Sequence, residues 1–549
     1  MLSAITRPKV KQFMGNYQFD LLVIGGGITG AGIALDAVTR GLSVALVDMQ
    51  DFAAGTSSRS TKLVHGGLRY LKQMELKIVA ETGRERETVY RNALHVTTPQ
   101  RMLLPFHKGG TFGKLTTSAG LLVYDKLAGV KKDERREMLT AEQALEMEPL
   151  IREDGLLGGG HYVEYRTDDA RLTIEVLKKA SQKGALCLNY MKVQRFLYHK
   201  GKVMGAEIVD TLTGESMDVH ASVIVNATGP WVDEVRAKDE VSNRKRLKLS
   251  KGIHIVLDQS IFPLRQAVYF DSPDERMIFA IPRGNKVYVG TTDTFFDGDR
   301  GNPSATEEEI NYLLEALLYM FPSVGVKRED VESTWAGVRP LIYEDGKDAT
   351  EISRKDEIWE ASTGLLTIAG GKLTGYRKMA ETVVDQVVKR FPNTSFGPCV
   401  TEYLPLSGGE FDNEEHYQSF IESKSNEAQL YGLTKEEGRQ LASLYGTNVD
   451  VVFNYVTATK NDPHQLPARW KAEILYAIHY EMAMTPADFF VRRTGDLYFN
   501  IRQVKQYREE VASYMAELLT YEAAVYEKLL TELDERIIEA VGKGGEIVE

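Results

Sequence analysis

Residues 18–48 constrain the fold of this chain more than any other stretch. An apolar run at 18–24 reads as a buried strand, GGGITGAG follows at once, and Gly25, Gly27 and Gly30 fall in the GxGxxG spacing. In that motif the first glycine permits a tight turn, the second lets backbone approach a pyrophosphate, and the third lets helix and strand pack closely. The helix is expected to run to about residue 40 and to stop at Gly41, a residue suited to a left-handed helix end. A second strand at 43–47 ends at Asp48, 23 positions after Gly25, where a ribose-binding carboxylate is expected. With all these parts in register, the reading is dinucleotide binding; the alternative is an ordinary glycine-rich turn. The motif stands near the N-terminus with no second complete copy. That suits a flavoprotein that holds FAD and takes electrons from its own substrate.

At 549 residues the chain is too long for one core and divides into three or four domain-sized pieces. Apolar residues at 43% and charged residues at 26% exclude disorder as the main state. The balance of 67 basic against 78 acidic side chains, net −11, lacks a general nucleic-acid footprint. An anionic substrate must therefore be met by a local cluster of cations. Cys187 and Cys399 are too far apart in sequence for a disulfide framework or a metal-ligand spacing, and a reducing compartment fits them best. No apolar core of a secretory signal and no run of about 18 apolar residues is present, so a bilayer span is not expected. Peripheral attachment stays open.

The stretch SSRSTKLVHGGLRYL, residues 57–71, has hydroxyls, three cations, a histidine and a Gly-Gly turn, with neither a helical nor a strand period. It is poor core material and reads as the passage over a bound cofactor into a substrate pocket. Residues 74–95 read as a charged helix whose Arg and Glu residues form a solvated face. The segment 108–132 sets apolar patches beside lysines, and is either a surface for an anionic bilayer or a partly buried connection. Asp168 and Asp169 open an apolar helix ending near Gly184; strands follow at 186–197, 202–211 and 216–220, and ASVIVN is another that runs into the turn at Gly229.

The basic run RKRLKLSK at 244–251 reads as a solvated loop, though it also neighbours the candidate His254, and 253–295 reads as an antiparallel sheet. A capped helix is expected at about 305–321. Further on, a strand, a turn at Gly370 and Gly371 and a long helix from near Leu373 would aim helix-terminal amides and Lys372 at negative charge. After Pro398 strand signals vanish, a capping box joins Thr434 to Glu437, and helices are expected at 468–483, 486–493, 501–518 and 522–542.

GGGITGAG, SSRSTKLVHGGLRYL, NATGPWVD, KGIHIV, GTTDT, AGVRPL and GGKLTGYRKMAE, in that order, resemble the FAD-dependent glycerol-3-phosphate dehydrogenase family, a branch of the D-amino-acid-oxidase-like flavoproteins. The likeness extends to ADFFVRRTG near the C-terminus. Asp48 departs from the glutamate many relatives carry, and either carboxylate can accept ribose hydroxyls. The resemblance implies an α/β fold: an FAD-binding Rossmann-like domain at 15–100, 155–235 and 345–395, an interleaved antiparallel-sheet substrate domain at 101–154 and 236–344, and a C-terminal all-helical domain at 400–549. It implies oxidation of sn-glycerol 3-phosphate to dihydroxyacetone phosphate, with electrons passed to membrane quinone. The enzyme would be a cytoplasmic homodimer held peripherally on the anionic inner face of the cell membrane. An oxidase that releases peroxide from oxygen is the nearest alternative, and a flavoenzyme for an amino or 2-hydroxy acid the next. A dinucleotide-binding scaffold is the non-enzymatic one.

A phosphate dianion suits guanidinium groups, which donate two parallel hydrogen bonds. Arg69 and Arg339 are the expected clamps, with Tyr70 beside them. The departing hydroxyl proton calls for a base, and a neutral imidazole serves near neutral pH. His254 is favoured because it alternates with Ile253 and Ile255; His65 is expected against the flavin. Lys372 is expected to stabilise negative charge on flavin or substrate. Ser57, Ser58, Ser60, Lys62, Leu63, Gly229, Gly371, Leu373 and Thr374 complete the expected FAD contacts, and no metal site is expected.

Overall fold

The protein is described by a computed structural model that covers residues 2–65, 76–111, 135–239, 245–343 and 356–542. Arg69, Tyr70 and most of segment 108–132 lie outside the described residues.

Among the described residues, two sheets carry the N-terminal two-thirds. The first has eight strands, with Glu357–Glu360, Leu366–Ala369, Ser216–Asn226, Gln18–Ile24, Val44–Val47 and Leu186–Leu188 side by side. All these neighbours are parallel except the first pair. Leu21, Leu22, Val23 and Ile24 are all buried, as a central parallel strand covered on both faces requires. Helix Ile28–Thr39 packs between helices Asp169–Gln182 and Tyr376–Val388. Residues 216–226 form one strand rather than two, because its first half pairs with Lys202–Asp210 while its second half continues beside Gln18–Ile24.

The second sheet has ten strands. Leu247–Asp258 pairs along one side with Val331–Ile342 and along the other with Lys286–Gly290 and Thr294–Phe295. The sheet continues through Met277–Arg283, Ala267–Asp271, Thr97–His107 and Leu156–Thr167 to Leu63–Val64. Leu63–Val64 and Leu156–Thr167, from ranges expected in the cofactor domain, thus pair in this sheet. Ile253, Ile255 and Leu257 pack with Ile310, Leu313 and Leu317 of helix Glu307–Met320, whereas Val256 belongs to the main core. Alternation along the strand therefore turns His254 away from that helix.

Three local expectations are corrected. Helix Leu76–Asn92 presents only part of its charge to solvent: Glu81, Arg84 and Arg91 are exposed, but Glu85 is 6% and Arg86 2% exposed. Glu85 takes two hydrogen bonds from Arg377, at 2.6 and 2.9 Å, and Arg86 donates to Val163 O and Glu164. The basic run is mostly strand, because Leu247 to Lys251 pair in continuous register with Val331–Ile342; Lys251 is buried on Glu309 and Lys245 meets Glu357. The helix expected from near Leu373 begins at Tyr376 with Gly375 as its cap, so the Gly370–Gly371 turn presents its own amides rather than helix-terminal ones.

Beyond residue 400 the chain is helical, with Thr434 and Glu437 closing the expected capping box. Residues 488–493 form a π-helical turn. It places Arg493 against Asp51 through Nη1–Oδ2 at 2.7 Å and Nη2–Oδ1 at 2.9 Å, with Arg492 Nε on the same carboxylate. Burial opposes ionisation of Asp51, yet Arg493 and Arg492 hold its carboxyl well below the usual range. No helix among the described residues is long and apolar enough to cross a membrane. Arg493→Ala leaves Asp51 under-compensated and is expected to cost about 3 kcal/mol or more of stability, read as a lower thermal midpoint than in Arg195→Ala, which removes an exposed pair.

Candidate cofactor and substrate site

The glycine cradle is set by close approach. Gly25 has φ +110°, and a Cβ there would lie 2.5 Å from Ala227 O. A Cβ on Gly30 would lie 1.9 Å from Gly25 O, so helix Ile28–Thr39 meets its strand at a distance only glycine allows. Ser57 Oγ accepts from Ile28 N at 3.0 Å, which ties the polar loop after the second strand to the helix start. Asp48 accepts from Gly26 N at 2.6 Å and Gln50 N at 2.9 Å. Burial raises its pKa to about 6 against the pull of those two amides.

One cleft brings together the predicted Gly25, Gly27, Asp48, Ser57, Ser60, Gly229, Gly371, Lys372 and Leu373. Other predicted residues stand behind its wall. Gly30 spaces the helix, and Ser58 is buried with no partner for Oγ. Lys62 Nζ lies 2.6 Å from Asp169 Oδ1 and 3.1 Å from Ser58 O, so its charge is committed within the protein. Leu63 pairs with Arg166 in the second sheet, and Thr374 Oγ1 donates to His65 O at 3.1 Å. His65 itself lies 6.4 Å, ring to ring, from Phe279.

His254 and Arg339 meet on neighbouring strands of the second sheet. His254 is 1% exposed, stacks on Trp335 at 4.6 Å and 9°, and has Nε2 3.1 Å from Thr61 Oγ1. Burial, then Arg339 and Lys62, push its pKa well below the ordinary imidazole value, so the ring is neutral at physiological pH. Arg339 donates to Thr291 Oγ1 at 2.9 Å and Thr292 O at 3.2 Å, with Asp293 at 3.5 Å. Its side chain keeps 20% exposure, and the next residue, Pro340, lines the cofactor cleft. A Cβ on Gly252 would lie 2.4 Å from Arg339 Nη2, so the guanidinium lies directly over bare strand backbone.

Sequence reasoning missed Asp169, Thr61 and Trp335. Asp169 holds Lys62 and Ser60 and lines the cleft; its partners are over a hundred residues away, and it read as a helix-opening acid. Thr61 lay inside a quoted motif and Trp335 stands just before AGVRPL, and their contact with His254 comes only from the pairing of the second sheet. Gly30→Ala is expected to force helix and turn apart, giving a protein that purifies with less than about a tenth of the normal bound flavin by visible absorbance, the motif having no room for a methyl there.

Comparison with known proteins bears on the same parts. The family model described as FAD dependent oxidoreductase matches residues 20–377, and the C-terminal domain of alpha-glycerophosphate oxidase matches 399–525. The chain is 56% identical over 544 residues to the aerobic glycerol-3-phosphate dehydrogenase of Staphylococcus haemolyticus, covering 98% of each. Among solved structures it is similar to the glycerol-3-phosphate dehydrogenase from Bacillus halodurans complexed with FAD, at 47% identity and TM-score 0.87, with all of both chains covered. The L-alpha-glycerophosphate oxidase from Mycoplasma pneumoniae, 16% identical with TM-score 0.54, covers 70% of this chain and 96% of its own and shares the fold. A glycine cradle matched in this way, on a chain aligned almost end to end with its relatives, establishes that the protein belongs to the FAD-dependent oxidoreductase family, alongside the aerobic glycerol-3-phosphate dehydrogenases.

Proposed function

We propose that this protein oxidises sn-glycerol 3-phosphate to dihydroxyacetone phosphate on bound FAD and delivers the electrons to membrane quinone. The observation that carries the reading is a neutral, buried His254 beside Arg339, one residue from the wall of the cofactor cleft. A base and a phosphate-matching cation side by side suit a small phosphorylated alcohol. The relatives named glycerol-3-phosphate dehydrogenase support the same substrate.

The residues present fit FAD. The Gly27 end of the first helix would hold a pyrophosphate, Asp48 offers a carboxylate to ribose, and Lys372 with the Gly370–Gly371 turn offers positive charge and amides to the flavin ring. Bound there, FAD supplies a two-electron acceptor for the hydride of the substrate carbinol. The protein supplies the rest. Arg339, with Arg69 and Tyr70, binds the phosphate; His254 takes the hydroxyl proton on its imidazole; Trp335 holds the ring by stacking and Thr61 by its contact with Nε2. A phosphate dianion beside Arg339 offsets the cations that depress His254, so its proton affinity rises when substrate binds. The division into cofactor, substrate and helical domains, the homodimer and attachment to the anionic inner face of the membrane belong to the same reading.

The match of residues 399–525 to an oxidase domain favours one second reading, with oxygen as the acceptor. Anaerobic addition of glycerol 3-phosphate is expected to bleach the flavin spectrum, while glycerol leaves it unchanged. Reoxidation by a quinone analogue much faster than by air supports the dehydrogenase, and stoichiometric peroxide at an unchanged rate with quinone present selects the oxidase. His254→Asn is expected to slow flavin reduction at saturating substrate by about 100-fold, the usual scale for a lost general base. In the unmodified enzyme the acid limb of kcat/KM is expected below pH 6.5, because the free-enzyme imidazole stays neutral until the pH falls through its depressed pKa.

A further inference from the structure

A second group of cations lies on the other side of strand Val331–Ile342 from helix Glu307–Met320's core, at the seam between the polar loop and the helical domain. Arg59, Arg492, Arg536 and Tyr498 line one cavity of about 30 Å³, room for two waters or one small oxyanion. Arg59 stands in the loop between Ser57 and Ser60, and its one hydrogen bond is Nη2 to Gly301 O at 3.1 Å; among the described residues no carboxylate pairs with it. Arg492 spends Nε and Nη2 on Asp51 and Asp488, leaving Nη1 without a hydrogen-bond partner among the described residues. Arg536 meets Glu539 through Nη1 at 3.0 Å, and Glu539 is the acid in the cavity wall. The Tyr498 hydroxyl has no hydrogen-bond partner among the described residues, its backbone carbonyl being taken by Ser333.

Asp51 and Asp488 neutralise Arg492 and Glu539 offsets Arg536, which leaves Arg59 as the cation of this cavity with no carboxylate partner among the described residues. Burial lowers the pKa of Arg59; Tyr498 and Glu539 act against that, while Arg536 and Arg492 add to it. Cations gathered at low dielectric repel one another unless an anion joins them. Each of the three still has N–H donors to give, and the phenol adds an O–H, which is the donor-rich, acceptor-poor set a tetrahedral oxyanion needs.

We propose that this cavity is a phosphate site distinct from the catalytic one, taking inorganic phosphate or the phosphoryl end of a phosphomonoester. The ligand ties the polar loop to the helical domain. The loop's next residues are Ser60, held by Asp169, and Thr61, which touches His254, and Trp335 both lines the cavity and stacks on His254. Occupancy therefore acts on the placement of the catalytic imidazole without touching substrate.

The test uses FAD-loaded enzyme at constant ionic strength. Inorganic phosphate is expected to raise the thermal midpoint with its logarithm, as a ligand of the folded state does, where chloride does not. Arg59→Gln is expected to weaken phosphate binding by about tenfold or more, the scale of a charged hydrogen bond, and Arg536→Gln, a second variant should the first not fold, to do the same. Arg339→Ala is expected to leave the effect in place. Repeating the titration with glycerol 2-phosphate in Arg339→Ala separates the two ligand sources: stabilisation by the ester as well as by the free ion assigns the site to phosphomonoesters, and stabilisation by the ion alone to inorganic phosphate. Stabilisation by neither, or an effect lost in Arg339→Ala and kept in both Arg59→Gln and Arg536→Gln, overturns the proposal. Failure of flavin bleaching would overturn the catalytic reading and leave this binding result intact.

Discussion

Asp51 is the point on which the two ends of the chain agree. It lies three residues past the cofactor-side Asp48, and two arginines more than four hundred residues later close on it, with Asn189 Nδ2 adding a third donor at 2.9 Å. Arg493 also donates to Glu481 O, and the Glu481 carboxylate holds Arg171 and Lys178 of helix Asp169–Gln182. Four buried carboxylates, Asp51, Asp488, Glu481 and Glu175, thus face four cations, Arg492, Arg493, Arg171 and Lys178. Such a cluster adds less stability than apolar packing of equal volume, because each ion must first lose its water. What it gives is register: a shift of the helical domain by one hydrogen bond would strand a buried charge. The loop after the second strand is held to one position by residues that do not line the cofactor cleft.

The same logic runs through the pocket. Lys62 read in sequence as a donor to the cofactor, yet Asp169 neutralises it and Ser60 is fixed on the same carboxylate. The cation becomes a brace for the loop. His254 remains neutral because its neighbours are cationic and its surroundings dry, and a neutral imidazole is the form that can accept a proton.

The parts legible in the sequence were those with short-range causes. The GxGxxG turn, the acid at the end of the second strand, the Thr434–Glu437 box and the alternation around His254 each follow from spacing within a few residues. The parts that were not legible depend on pairing across the chain. Glu85 and Arg86 look like surface charges on a helix, and nothing near them announces Arg377 or Glu164 as partners. The basic run at 244–251 looks solvated until Val331–Ile342 pairs beside it. Asp169 looks like a helix opener, and the true cap is Asp168, whose side chain accepts from Arg171 N.

Residues 57–62 had no hydrophobic period, and the structure gives the physical reason. Five side chains go to four destinations: Ser57 to the first helix, Arg59 to the seam with the helical domain, Ser60 and Lys62 to the Asp169 carboxylate, and Thr61 to the His254 imidazole. A helix or strand groups its side chains on one or two faces, and could not send five in four directions within so short a span. Irregular backbone with polar side chains can, where most of its donors and acceptors find partners. The price is positional: a loop of this kind has no fold of its own and takes its shape from Asp51, Asp169 and the two sheets around it.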